Sequence, residues 1–196
     1  MLHYAVCEIN PERDFSNLNE RILRLPQWRR RKALSFLHPS DRLQCAMAYE
    51  LTTRLIKMAG GSEPFEIEYD PQGKPYIKGM SHLFLSISHC RKAVMAAVAD
   101  VPVGCDVEKI ALGEAAANAL VADYCYSAAE KLLISNSDNP AVEFTRIWTV
   151  KEAIYKMDNG LSIEALDTAG DMPGYLIKTN VASGYVATLA LESVQR

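Results

Sequence analysis

The sequence predicts an α+β fold with largely antiparallel sheets. Strand and helix patterns follow one another in mixed order rather than as repeating βαβ units. Several strand candidates are joined by short, turn-forming connections that suit antiparallel pairing. No internal repeat or low-complexity linker interrupts the chain.

Residues 2–9 alternate, with Leu2, Tyr4, Val6 and Glu8 opposite His3, Ala5, Cys7 and Ile9, which predicts a first strand. A polar stretch follows, then a helix over about 16–25. Pro26 opens a second helix that carries a basic cluster. Pro39-Ser40-Asp41 begins a longer helix, with Ser40 or Asp41 placed to cap it, and Leu43, Met47, Leu51 and Leu55 recur along one face. Gly60-Gly61 ends that helix. A β-rich block comes next: Phe65–Tyr69, the turn Asp70-Pro71-Gln72-Gly73, Lys74–Ile77, then strands over 83–88, 93–100 and 103–110. Ser127 and Glu130 form a capping box that starts a helix running to about Ser135. A strong helix spans 141–157 and is closed by Asn159-Gly160; strands over 174–179 and 184–191 form a final hairpin.

Composition narrows the class. The chain has 196 residues, 49% apolar and 23% charged, with 24 acidic residues against 21 Lys or Arg. These values match a soluble globular protein and exclude collagen-like, low-complexity and disordered chains. The length suits one large domain or two small ones. Five scattered cysteines without a CxxC pair argue against a disulfide framework or structural zinc and for reduced thiols. The start lacks a signal-peptide pattern, and no apolar run approaches the ~20 residues needed to cross a bilayer. A cytoplasmic protein without membrane partners is expected. The formal charge of −3 gives no global reason to expect nucleic acid. It conceals an asymmetry, because six bases (Arg21, Arg24, Arg29, Arg30, Arg31 and Lys32) lie in one stretch free of acids, leaving 15 bases against 24 acids elsewhere.

Two segments point to chemistry. Asp106 and Glu108 flank Val107 on a predicted strand, so both carboxylates share one face. Alone, the pair reads as two solvated acids on an exposed strand. Trp148, Glu152 and Lys156 then fall at i, i+4 and i+8 on one helical face, where Glu152 and Lys156 could equally form an ordinary surface pair. If that face meets the strand, three carboxylates converge beside a lysine, a donor set suited to Mg²⁺ and phosphate oxygens. There is no P-loop, dinucleotide fingerprint or nucleophile elbow.

With these segments in place, the chain resembles the 4′-phosphopantetheinyl transferases of the Sfp type, within the holo-[acyl-carrier-protein] synthase superfamily. The likeness rests on V-G-C-D-V-E-K at 103–109 and W-T-V-K-E-A-I-Y-K at 148–156. S-I-S-H at 86–89, G-K-P at 73–75 and the basic helix before Phe36-Leu37-His38 reinforce it. The resemblance implies transfer of the phosphopantetheine arm of coenzyme A to a serine of an apo-carrier protein, releasing 3′,5′-adenosine bisphosphate. It implies Asp106, Glu108 and Glu152 as Mg²⁺ ligands, Glu152 as base for the carrier serine (directly or through water), and Lys156 on the pyrophosphate. Asp106, Lys74, Ser88 and His89 match positions around coenzyme A, and Arg29 and Lys32 best match the basic pair at its 3′-phosphate. The implied fold is two similar α+β halves related by a pseudo-twofold, residues 1–103 and 104–196, in a monomer with the active site between them. Cys105 and Cys90 depart from the usual aliphatic residue and serine, and Arg29 from the usual lysine. Two alternatives stand beside this reading: a metal-dependent phosphodiesterase using the same carboxylates, and a nucleic-acid-binding module built on Trp28 and Arg29–Lys32. The carrier, whether from fatty-acid, polyketide or peptide synthesis, and the choice of Mg²⁺ over Mn²⁺ are not legible in the sequence.

Overall fold

The computed structural model describes residues 1–110, 124–158 and 161–193. Four layers stack in the order helix, sheet, sheet, helix. The first sheet has the order β1-β5-β4-β3-β2, from strands β1 (Leu2–Glu8), β2 (Ile67–Tyr69), β3 (Pro75–Ile77), β4 (Phe84–His89) and β5 (Ala93–Ala99). The second has the order β6-β8-β7, from β6 (Val103–Lys109), β7 (Tyr175–Ala182) and β8 (Tyr185–Glu192). Every pairing is antiparallel. Each sheet repeats one connectivity: an opening strand pairs with the second strand of a later hairpin, and a long helix lies between them in sequence.

β5 explains why the layers can stack. All seven of its residues are buried. Val94, Ala96 and Val98 face helix α4 (Pro39–Met58), where they join Leu43, Met47, Leu51 and Leu55. Ala93, Met95, Ala97 and Ala99 face the second sheet and pack with Cys105 and Val107 of β6 and Leu189 of β8. Small alanines on that side leave room for a sheet where larger residues would demand a wider gap.

The helical elements follow their local signals, with two corrections. The polar stretch is itself helical: α1 (Pro11–Ser16) starts where the Asn10 side chain accepts from Arg13 N, and α2 (Leu18–Arg24) follows after Asn17. One predicted helix over 16–25 is therefore two short ones. α3 (Gln27–Ser35) starts after Pro26 as expected. α4 is capped by neither Ser40 nor Asp41. Its N-cap is His38, and Pro39 with its fixed φ takes the first helical position, so both polar residues lie inside the first turn. At the other end Gly60, with φ +80°, reverses the chain, and Gly61 N donates to Ile56 O. The expected capping box holds at α5 (Ala128–Asn136). α6 spans Pro140–Met157, and Asn159-Gly160, predicted to close it, lie outside the described residues. No helix among the described residues is long and apolar enough to cross a membrane.

α6 lies on the outer face of the second sheet, where Val150, Ala153, Ile154 and Met157 meet Ala190 and Leu166. Its approach to β6 is backbone to backbone. A Cβ at Gly104 would run into the carbonyl oxygen of Ala153 and stand 2.6 Å from the amide nitrogen of Met157. A buried ion pair fixes the same helix from the other side. Lys151 and Glu130 are both fully buried, with Lys151 Nζ 2.9 Å from the Glu130 carboxylate and also bonded to Leu166 O. Glu130 further accepts from Ser127 N, Thr168 N and Thr168 Oγ1, so the charge is well satisfied.

Gly104→Ala is expected to destabilise the fold by about 3 kcal/mol, because the methyl overpacks a contact that only backbone movement can relieve. Lys151→Met, which leaves Glu130 buried without its counter-charge, is expected to cost about 3–5 kcal/mol. Chemical denaturation followed by circular dichroism measures both.

Candidate active site

Antiparallel pairing sets the register of the central strand. Asp106 lies opposite Thr188 and Glu108 opposite Val186, while Cys105 and Val107 point into the core between the sheets. The alternation puts Gly104, Asp106 and Glu108 on the face that α6 covers. There the strand meets the helix at the spacing its sequence set: Lys156 Nζ lies 2.6 Å from Asp106 Oδ1 and 3.7 Å from the Glu152 carboxylate. Ser88, at the end of β4, donates to Asp106 Oδ1 at 2.7 Å and accepts from Lys156 Nζ at 3.3 Å. Its neighbour Ser86 accepts from Cys105 N at 2.9 Å, satisfying a backbone donor of β6. One buried carboxylate thus ties together β4 of the first sheet, β6 of the second and α6.

Asp106 is 1% exposed, which removes the reading of β6 as a solvated edge strand. Its Oδ2 is buried without a hydrogen-bond partner. Burial, then the Asp106 charge, pushes the Glu108 carboxyl up to about 7. The same two causes, in the same order, raise Glu152. Burial acts against the Lys156 ammonium, but the Asp106 carboxylate outweighs it and holds that pKa above its ordinary value. The cluster is short of positive charge: three carboxylates share one ammonium. Among the described residues no three His, Cys, Asp or Glu side chains close around a metal position as they stand, and the lysine occupies the space between the acids.

In front of this cluster opens a cleft of about 480 Å³. Glu108, Lys156, Ser88 and His89 line it. Lys74 also lines the cleft, held by its turn: Asp70 Oδ1 accepts from Gln72 N and Lys74 N, and Gly73 takes φ +88°. Lys74 Nζ donates to Met157 O at 2.7 Å, where a cation suits the C-terminus of α6. Burial lowers the pKa of that ammonium. Arg29 and Lys32 from α3 line it as well. Arg29 is 4% exposed; its Nη2 donates to Cys45 O, whereas Nε and Nη1 are buried without partners.

The structure therefore gathers all nine candidate residues at one place: seven line the cleft, and Asp106 and Glu152 stand against Lys156. Trp148, predicted on the same helical face, is half-buried and is not among the described residues lining the cleft. The six-base stretch does not act as one patch. Arg21 pairs with Asp14 and Glu50, Arg24 with Glu20, and Arg30 binds carbonyls of Ile22, Leu23 and Leu25. Only Arg29 and Lys32 of the six line the cleft among the described residues. Tyr69 and Tyr155 also line it and belonged to no predicted site. Tyr155 was legible as the residue before Lys156, whereas the end of a short strand gives no signal for Tyr69.

A family model described as the 4′-phosphopantetheinyl transferase superfamily matches residues 102–173, the segment that holds β6 and α6. Over that segment the chain is similar to this superfamily. It is similar to a 4′-phosphopantetheinyl transferase of Bacillus subtilis, with 29% identity over 140 residues, 69% of this chain and 61% of that protein. It is 31% identical over 97 residues to the 4′-phosphopantetheinyl transferase psf-1 of Bacillus pumilus, 48% of this chain and 40% of the relative. Against the 4′-phosphopantetheinyl transferase AcpT of Salmonella typhi the identity is 27% over 127 residues, 64% of this chain and 65% of AcpT. The chain thus spans less than two thirds of the length of each of these relatives.

The raised Glu108 pKa has a sign that can be tested. A carboxyl raised from 4.5 to about 7 stabilises the folded state in its protonated form. That contribution is complete below the ordinary value and is lost as pH rises through about 7. In chelator, Glu108→Gln is expected to melt above wild type at pH 8, with the gap closing towards pH 5. Thermal melts across that range measure it.

Proposed function

We propose that this chain transfers the 4′-phosphopantetheine arm of coenzyme A to a serine hydroxyl of an apo-carrier protein, releasing 3′,5′-adenosine bisphosphate. The observation that carries the reading is the cleft itself, which joins an arginine with two unpartnered N–H groups to an acid–lysine cluster. A small polyanion with a terminal phosphate and a pyrophosphate matches that distribution of charge.

Asp106, Glu108 and Glu152 fit a divalent cation. They are hard oxygen donors, Asp106 Oδ2 lacks a partner, and burial with mutual repulsion raises Glu108 and Glu152. These three side chains would hold Mg²⁺, which when bound neutralises charge on the pyrophosphate oxygens. Lys156, with three N–H donors, keeps its bond to Asp106 while holding the pyrophosphate. Ser88 keeps Asp106 oriented throughout. Lys74 and His89 line the nucleotide portion, and Arg29 with Lys32 takes the 3′-phosphate. Glu152 accepts the proton of the carrier serine, directly or through one water, and its raised pKa suits that role near neutral pH. The serine oxygen then forms its bond to the phosphorus bearing the pantetheine arm, and the bond from that phosphorus to the bridging oxygen breaks. The electron pair leaves with the adenosine bisphosphate.

Residues 1–103 and 104–196 form the two halves in this reading, supported by the repeated connectivity of the two sheets. A cytoplasmic monomer is the setting this transferase reading implies.

Incubation with coenzyme A, Mg²⁺ and a panel of apo-carriers, read by mass, tests the proposal. Wild type is expected to add one phosphopantetheine to at least one carrier, and chelation to stop the addition. Asp106→Ala and Glu152→Ala are each expected to lower the rate at least about 100-fold. Retained turnover in both variants refutes the mechanism.

A further inference from the structure

Tyr69 closes β2 and lines the cleft beside Lys32, paired in register with Pro75. The next residue, Asp70, binds the amides of Gln72 and Lys74, so the turn that carries Lys74 also fixes the backbone at Tyr69. The Tyr69 phenol oxygen accepts a hydrogen bond from Lys32 Nζ at 2.8 Å. The same ammonium lies 4.2 Å from the centre of the ring, within reach of its π face. Arg29 reaches the cleft from the same helix with its unpartnered Nε and Nη1.

A phenol that accepts from a cation still has its own O–H to donate. Burial raises the Tyr69 pKa, but the Lys32 bond together with the Lys32 and Arg29 charges brings it below the ordinary value. Such a hydroxyl, though 44% of the residue is exposed, is a stronger hydrogen-bond donor than that of a tyrosine without cationic neighbours. The phenol also holds a flexible lysine in one position before any ligand arrives, which lowers the ordering cost of binding.

We propose that Tyr69 is a specificity-determining residue. It donates its O–H to a phosphate monoester while orienting Lys32, so that Tyr69, Lys32 and Arg29 together select the phosphorylated ribose. A monoester dianion has acceptors enough for all three groups, whereas an unphosphorylated ribose hydroxyl satisfies at most one and leaves two cations uncompensated. The identity of the ligand, coenzyme A with its 3′-phosphate, rests on the transferase reading above.

Titration calorimetry on the full chain with coenzyme A and with 3′-dephospho-coenzyme A tests the assignment. Tyr69→Phe keeps the ring beneath Lys32 and removes only the hydroxyl, and its melting temperature reports that the fold is intact. Wild type is expected to bind coenzyme A more tightly than the dephospho form. Tyr69→Phe is expected to weaken coenzyme A about tenfold, the scale of one hydrogen bond to a charged group, while leaving the dephospho form within twofold. Equal loss for both ligands, or no loss for either, refutes the assignment and leaves the transferase reading standing. Wild-type protein that binds neither ligand refutes the transferase reading, and the assignment falls with it.

Discussion

The close approach of α6 to β6 at Gly104 is the constraint on which the site depends. A side chain there would separate helix and strand, carrying Glu152 and Lys156 away from Asp106. The two elements are pressed together from opposite sides. Ala153, Ile154 and Met157 supply apolar contact on the sheet side, and the Lys151–Glu130 pair anchors the helix to α5 and the 161–168 loop. Glu152 follows the buried Lys151 directly in sequence, so a structural charge and a site charge alternate along one helix. The first holds the helix where the second is needed.

The electrostatics of the cluster follow from this packing. Bringing β6 under α6 buries Asp106, and burial of a carboxylate is costly unless the surroundings answer its charge. Ser88 and Lys156 answer one oxygen only. The imbalance that remains, visible at Oδ2 and in the raised Glu108 and Glu152, makes the cluster receptive to a further cation. Structure and reactivity here have one origin: the site is held together by a charge that the fold only half satisfies.

The most legible features in the sequence were those with a period. The D-x-E alternation placed Asp106 and Glu108 on one face because strand side chains repeat every two residues. The i, i+4 spacing aligned Glu152 with Lys156, and Ser127 with Glu130 marked a helix start from local chemistry alone. Partnership between distant segments was legible only through the family resemblance, which joined Asp106 and Glu108 to Glu152, and not from any local pattern. Nothing local distinguishes Arg29, which reaches the cleft, from Arg21 or Arg30, whose partners lie on other segments. Glu130 reads as a capping residue and is one, yet its tie to Lys151 exists only in three dimensions. The missed α1 and the mistaken α4 cap share a cause, since several polar residues compete for a helix start and tertiary packing decides among them.

The cleft is stitched from segments far apart in the chain. Its defining bonds join residues 18, 50 and 83 positions apart: Ser88 with Asp106, Asp106 with Lys156, and Lys74 with Met157. Closing such separations costs chain entropy before any contact rewards it, so these bonds belong late in folding. A partly folded chain can hold α4 against the first sheet and still have no cleft at all. On the transferase reading, ligand affinity would therefore also measure completed folding, and a bound polyanion would act as a clasp on the last long-range contacts to form.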